Sequence, residues 1–166
     1  MEIHPMPEAA VSRGLQDVIA GESEICFIDG KEGRLIYRGY DIRDLAERSR
    51  FEEVAYLLWY GQLPTSNQLQ DLQARIRQLR VLPEGVREVL ARLPSETTPM
   101  DALRTAVSAL ASFEPNETQA GATSIGGALR LTAVLPTIMS EFDRRRRGLG
   151  PLPPRSDLSH AANVLY

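Results

Sequence analysis

FIDGKEGRLIYRGYDIRDLAERSRFEEVAYLLWYGQLP, residues 27–64, changes its period halfway along. In the first part Phe27 and Ile28, then Leu35, Ile36 and Tyr37, flank Asp29-Gly30-Lys31-Glu32-Gly33. Aspartate and glycine supply the positive-φ positions that a hairpin connection needs. A lone two-stranded ribbon is marginal in water, so this one is expected to lie against helices. From Asp41 onward the apolar residues recur at helical spacing. Asp41 is placed to cap a short helix running through Arg48. Ser49-Arg50-Phe51-Glu52 has the form of a capping box, opening a helix with Phe51, Val54, Ala55, Leu57 and Leu58 that stops at Gly61.

Further along, Thr65-Ser66-Asn67-Gln68 is a second box, before a stripe of Leu69, Leu72, Ile76 and Leu79. Pro83 opens a short helix containing Val86, Val89, Leu90 and Leu93. Thr98 caps the next, with Pro99 in its first position and Asp101 in its first turn. That helix runs to about Phe113, with Leu103, Ala106, Val107, Leu110 and Ala111 as its apolar face. Residues 114–123, EPNETQAGAT, read as a polar loop. A long helix follows, from about Ser124 to Arg147, with Pro136 inside it as a bend. GLGPLPPR, residues 148–155, is a break. The last helix opens at Ser156 or Asp157 and carries Leu158, Ala161, Ala162 and Leu165. On the amino-terminal side, Leu15 to Ile28 suggests extended segments around Gly21-Glu22, and residues 1–13 form a leader. The last helix has no glycine, basic turn or polar tail to close it, so the sequence is expected to be cut within a helix of a longer polypeptide.

The 166 residues are 43% hydrophobic and 25% charged, the composition of a soluble globular protein with one sizeable core. A net charge of -3 argues against nucleic acid or an anionic membrane as partner. No apolar run reaches the roughly 18 residues of a spanning helix, and the first ten residues do not have the form of a secretory signal. Cys26 is the single cysteine, between Ile25 and Phe27, and reads as a small buried hydrophobe. A reducing cytoplasm is the expected compartment.

These residues resemble a known family. Ile28-Asp29-Gly30, Gly33 to Ile42 and Phe51 to Pro64 are similar to the amino-terminal segment of citrate synthases of the bacterial and archaeal form, IDG-x-x-G-x-L-x-YRGYDI followed by FEEVAYLL-x-G-x-LP. Thr98-Pro99-Met100-Asp101 with LRTAVSALASF resembles the family's HPMD-x-LRTAVS-x-L, with threonine where histidine is common. GGALRLTAVLPTIMSEF resembles RLIAKLPTIVA. The resemblance implies a mainly α fold: part of the large helical domain of a citrate synthase, over residues 14–166, with a small amino-terminal β-hairpin. It also implies a homodimer through the helices at about 99–113 and 124–147.

The family's reaction condenses acetyl-coenzyme A with oxaloacetate to citrate and coenzyme A, a step of the tricarboxylic acid cycle. An aspartate takes a proton from the acetyl methyl, a histidine stabilises the enolate, and a second histidine polarises the keto acceptor. The motifs that supply these groups, H-A-D-H-x-x-N-x-S-T and G-P-x-H-G-G-A, do not occur in this sequence. No catalytic, cofactor-binding or metal-binding residue is therefore assigned, acetyl-coenzyme A being a substrate, and residues 1–166 alone are expected to be inactive. Alternatives are a 2-methylcitrate synthase, using propionyl-coenzyme A, and a non-catalytic helical dimerisation or regulatory module derived from the family.

Other candidates are weaker. His4 lies in the leader. His160 resembles a structural position of the family segment SHAANFLYML, and the sequence places no carboxylate beside it. Residues 121–127, GATSIGG, lack the lysine of a phosphate loop and read as a helix entry. Arg144-Arg145-Arg146-Arg147 is either a solvated helix end or a dock for the phosphates of coenzyme A. Four consecutive side chains point around a helix and do not converge on one ligand, which favours the first reading.

Overall fold

The structure is a computed structural model that describes residues 23–114 and 125–166. Among these residues, seven helices and three short strands form a mainly α fold. The ribbon contains β1 (Cys26–Asp29), β2 (Arg34–Tyr37) and a third strand, β3 (Tyr40–Asp41), in antiparallel order β1-β2-β3. Asp29 Oδ1 accepts the N–H groups of Lys31 and Glu32 at 3.0 and 3.1 Å, closing the first turn. The second turn is only Arg38-Gly39, with φ of 46° and 90°, and pairs Tyr37 with Tyr40. Two consecutive positive φ values match the twist of the flanking strands. Arginine is an unusual residue for such a turn, so the sequence gives no warning of β3.

Helix α1 (Ile42–Arg48) is capped by Asp41 and rests against β2 and β3. β1 stays open to solvent. Phe27 and Ile28 are 57% and 70% exposed, and Cys26 is exposed too, contrary to its reading as a buried hydrophobe. The reason is that α1 packs on the other two strands of the ribbon and leaves β1 at its uncovered edge.

Helix α2 (Phe51–Tyr60) starts one residue later than its sequence signal. Arg50 is the cap, and its N–H donates to Glu53 Oε2 at 2.8 Å, so Glu53 fills the place expected of Glu52. It ends at Gly61, φ 81°, whose N–H reaches the Leu57 carbonyl. Helix α3 (Ser66–Gln78) opens with the Thr65–Gln68 box as expected, then α4 (Glu84–Arg92) follows Pro83. Thr98 caps α5 (Pro99–Phe113) by accepting the Asp101 N–H at 3.2 Å. The face that α5 buries is Ala102, Ala106 and Leu110. Leu103 and Val107 flank it and Ala111 is exposed, a correction of the expected stripe by a fraction of a turn.

The long helix α6 (Ile125–Arg146) organises the rest. Its buried residues fall on two adjacent i, i+4 rows, Leu129-Ala133-Thr137-Glu141 and Arg130-Val134-Ile138-Phe142. Leu129 and Ala133 pack with Tyr56, Leu72 and Ile76 of α2 and α3. Val134, Ile138 and Phe142 pack with Val86 and Leu90 of α4 and with the buried face of α5. One helix thus presents two ridges to two separate helix pairs. Pro136 lies off both ridges, and α6 continues through it to Arg146. The helix closes at Gly148, φ 71°, with Gly148 N–H on Arg145 O and Leu149 N–H on Arg144 O, a Schellman arrangement.

The final helix α7 (His160–Leu165) begins later than expected, with Ser159 accepting the Ala162 N–H. Leu158 precedes it. His160 is its buried residue, while Ala161, Ala162 and Leu165 are exposed, so the apolar stripe expected there is not buried against the body. The leader, the segment from Leu15 to Glu22, and residues 115–124 lie outside the described residues.

Candidate functional site

Three buried polar side chains converge where α7 meets the helical body. Glu52 from α2, Arg80 from the connection after α3, and His160 at the start of α7 are 4%, 2% and 6% exposed. Glu52 Oε1 accepts the backbone N–H of His160 at 3.3 Å. Arg80 donates to the carbonyls of Arg155 and Leu158, both at 3.0 Å. The imidazole stacks on Phe51, ring centroids 5.1 Å apart, and its Nδ1 is buried without a hydrogen-bond partner. Burial, and then the Arg80 cation, hold His160 below the usual imidazole range, with Glu52 opposing. Sequence alone places no carboxylate beside His160; the fold brings one from 108 positions away.

A second buried cation braces the first. Arg130 of α6 donates to the carbonyls of Leu79 and Val81, and it forms an ion pair with Glu114 through Nε–Oε2 at 2.7 Å and a second nitrogen at 2.5 Å. The sequence places Glu114 at the start of a polar loop; its carboxylate instead belongs to this clamp. Charge-assisted bonds of this kind are about twice as strong as neutral ones, and they satisfy carbonyls that no helix ladder reaches.

Beside the polar node lies an apolar groove of about 600 Å³, lined by Phe51, Thr132, Leu135, Pro136, His160, Ala161, Val164 and Leu165. Leu165 at its edge is 88% exposed.

The arginine run is already engaged. Arg145 binds the buried Glu141 at 2.9 Å, Arg146 and Arg147 share Asp143, and Arg144 donates to the Gly150 carbonyl at 2.8 Å. Their work is to end α6 and hold the segment beyond it. Gly126 and Gly127 sit in the first turn of α6, where a helix entry is expected. Residues 121–124 and His4 lie outside the described residues. Among the described residues no group of three or more His, Cys, Asp or Glu side chains could hold a metal ion, and no helix is long and apolar enough to cross a membrane.

Sequence reasoning does not find Glu52, Arg80 and Arg130 as a set. Two of them leave a signal: Arg130 interrupts the apolar row it shares with Val134 and Ile138, and Glu52 lies three and four positions before the buried Ala55 and Tyr56. Arg80 leaves none, since it lies between helices.

The described geometry defines a mainly α scaffold in which one long helix serves two helix pairs and buried arginines lock the connections. A family model described as citrate synthase, C-terminal domain, matches residues 14–166. The chain belongs to the citrate synthase family. It is 40% identical to a citrate synthase of Haloferax volcanii, over 94% of this chain and 42% of that protein. It is 42% identical to a 2-methylcitrate synthase of Mycobacterium tuberculosis, over 94% of this chain and 39% of that protein. The citrate synthase of Thermoplasma acidophilum, solved as a ternary complex with carboxymethyl coenzyme A and oxaloacetate, superposes with a TM-score of 0.83 at 27% identity, covering 92% of this chain and 40% of that one. The chain thus spans about two fifths of the length of the relatives it matches.

Proposed function

We propose that these residues are the scaffold portion of a citrate synthase, an enzyme that condenses acetyl-coenzyme A with oxaloacetate to citrate and coenzyme A. The observation that carries this reading is the family match over residues 14–166. In it, the chain supplies the packed helices, and the proton-transferring aspartate and histidines come from sequence outside residues 1–166. Fixed donors in a dry cleft stabilise a developing enolate only if the framework around them is rigid, and the two ridges of α6 and the arginine clamp are suited to that. Exposed Ser108, Ala111 and Ser112 on α5 leave a small-residue face on which a second copy could pack closely, supporting a homodimer through α5 and α6. A cytoplasmic enzyme fits this reading.

The test is thiol release from acetyl-coenzyme A in the presence of oxaloacetate. The complete polypeptide is expected to turn over and residues 1–166 alone to be inert; turnover by residues 1–166 would show that the reacting groups have been misplaced. The likeness to a 2-methylcitrate synthase supports a second reading. A kcat/KM for propionyl-coenzyme A above that for acetyl-coenzyme A would favour it.

A further inference from the structure

The segment from Arg155 to His160 is fastened by side chains from two elements, and one member of the fastening can change its charge. From α2, Glu52 accepts the His160 N–H; from the α3–α4 connection, Arg80 donates to the Arg155 and Leu158 carbonyls. The imidazole has the Phe51 ring stacked on it, and its Nδ1 is buried with no partner. A neutral ring accommodates this, because one nitrogen can remain a bare acceptor. An imidazolium could not: its Nδ1–H would be a buried donor with no acceptor.

The charged groups around His160 do not rescue the cation. From α2 there is Glu52, which holds the His160 N–H and favours the cation but is outweighed by burial and Arg80. From the α3–α4 connection there is Arg80, a fixed positive charge, with Arg77 behind it. From α6 the neighbours across the groove are Thr132, Leu135 and Pro136, which do not titrate. Arg155 and Asp157, just before α7, neutralise each other at 2.5 Å.

We propose that Glu52, Arg80 and His160 form a protonation-sensitive latch: neutral His160 keeps α7 seated on α2, and a proton taken from solvent onto the imidazole releases α7 and so widens the apolar groove that Val164 borders with Phe51 and Leu135. This is independent of the reaction proposed above.

Hydrogen exchange of the intact polypeptide at pH 7.5 and 5.5, corrected for intrinsic rates, tests it. Peptides covering residues 158–166 are compared with α4 as internal reference. Protection of α7 relative to α4 is expected to fall about tenfold at the lower pH, the equivalent of one pKa unit of displacement. In His160→Phe, which retains an aromatic ring and removes the titration, the ratio is expected to be the same at both values. An unchanged ratio in the unsubstituted protein, or the same acid loss in His160→Phe, overturns the latch. Should His160→Phe fail to fold, the imidazole Cε1–H of the unsubstituted protein is titrated by NMR. Titration below the ordinary histidine value, with the α7 resonances moving in step, supports the latch. Titration at or above that value, or with the α7 resonances stationary, overturns it.

Discussion

Arg130 grips the carbonyls on either side of Arg80, those of Leu79 and Val81, so one buried cation holds the backbone from which the other projects. The pair runs from α6 through the α3–α4 connection to the carbonyls before α7. Removing Arg130 would strand two carbonyls and break its ion pair with Glu114. Arg130→Met is expected to cost about 3 kcal/mol, read as a fall in the urea midpoint. Arg104→Met is the control: its side chain is 80% exposed and pairs with Asp101 at 2.9 Å on the surface of α5. It should change stability by no more than about 0.5 kcal/mol. Equal shifts in the two variants would refute the clamp.

The α4–α5–α6 core sets the second expectation. Leu90 is buried against α5 and α6. Leu90→Ala leaves a cavity and should cost about 2–5 kcal/mol. Met100→Ala, at a residue 69% exposed, should stay within about 0.5 kcal/mol. Urea denaturation of both variants checks the contrast, and a small effect at Leu90 would place the core elsewhere.

Stability should depend on pH through His160. Its folded pKa is depressed, by burial first and Arg80 second. Below the unfolded value, about 6.5, the unfolded chain binds a proton that the folded chain resists. Stability is therefore fully present above that value and is lost as pH falls from there toward the folded pKa, by up to about 1.4 kcal/mol per unit of displacement. Urea unfolding between pH 7.5 and 5.5 should show this slope, and His160→Phe should flatten it. A slope of opposite sign would mean that Glu52 outweighs burial.

The Arg38-Gly39 turn makes a local prediction. Gly39 has φ of 90°, and no atom crowds the position of its missing Cβ. Gly39→Ala should therefore act through backbone strain alone, costing about 1 kcal/mol. The readout is faster amide exchange in β2 with α4 unaffected. Loss of protection throughout the helices would instead make the ribbon part of the main cooperative unit.

Exposed apolar side chains predict association. Phe27 and Ile28 on β1, and Leu165 on α7, stand in solvent, and large apolar side chains left in water favour self-association. Residues 1–166 are expected to elute ahead of the monomer position in size-exclusion chromatography. Phe27→Glu with Leu165→Glu should move the peak toward it. A compact monomer without substitution would contradict this.

Much of the fold is legible because local rules write themselves into short stretches. Asp41, Thr65 and Thr98 cap helices by bonding to amides two or three residues away, and Gly61 ends one because its φ of 81° suits a residue without a Cβ. The Arg38-Gly39 turn is less legible, since arginine at positive φ is tolerated only with the strands already paired around it. Ser49 offers the more familiar capping side chain, but the cap of α2 falls on Arg50, one residue past that signal, because the Glu53 carboxylate reaches the Arg50 amide.

Helices, most of their ends and the family can be read from the chain in one dimension, since each depends on neighbours a few positions apart or on a long run of matched residues. Which polar groups are buried cannot. Glu52, Arg80 and His160 meet because α2, the α3–α4 connection and α7 pack together, and no spacing along the chain records that approach. Burial arises from that packing, and it is what makes a charge on His160 costly.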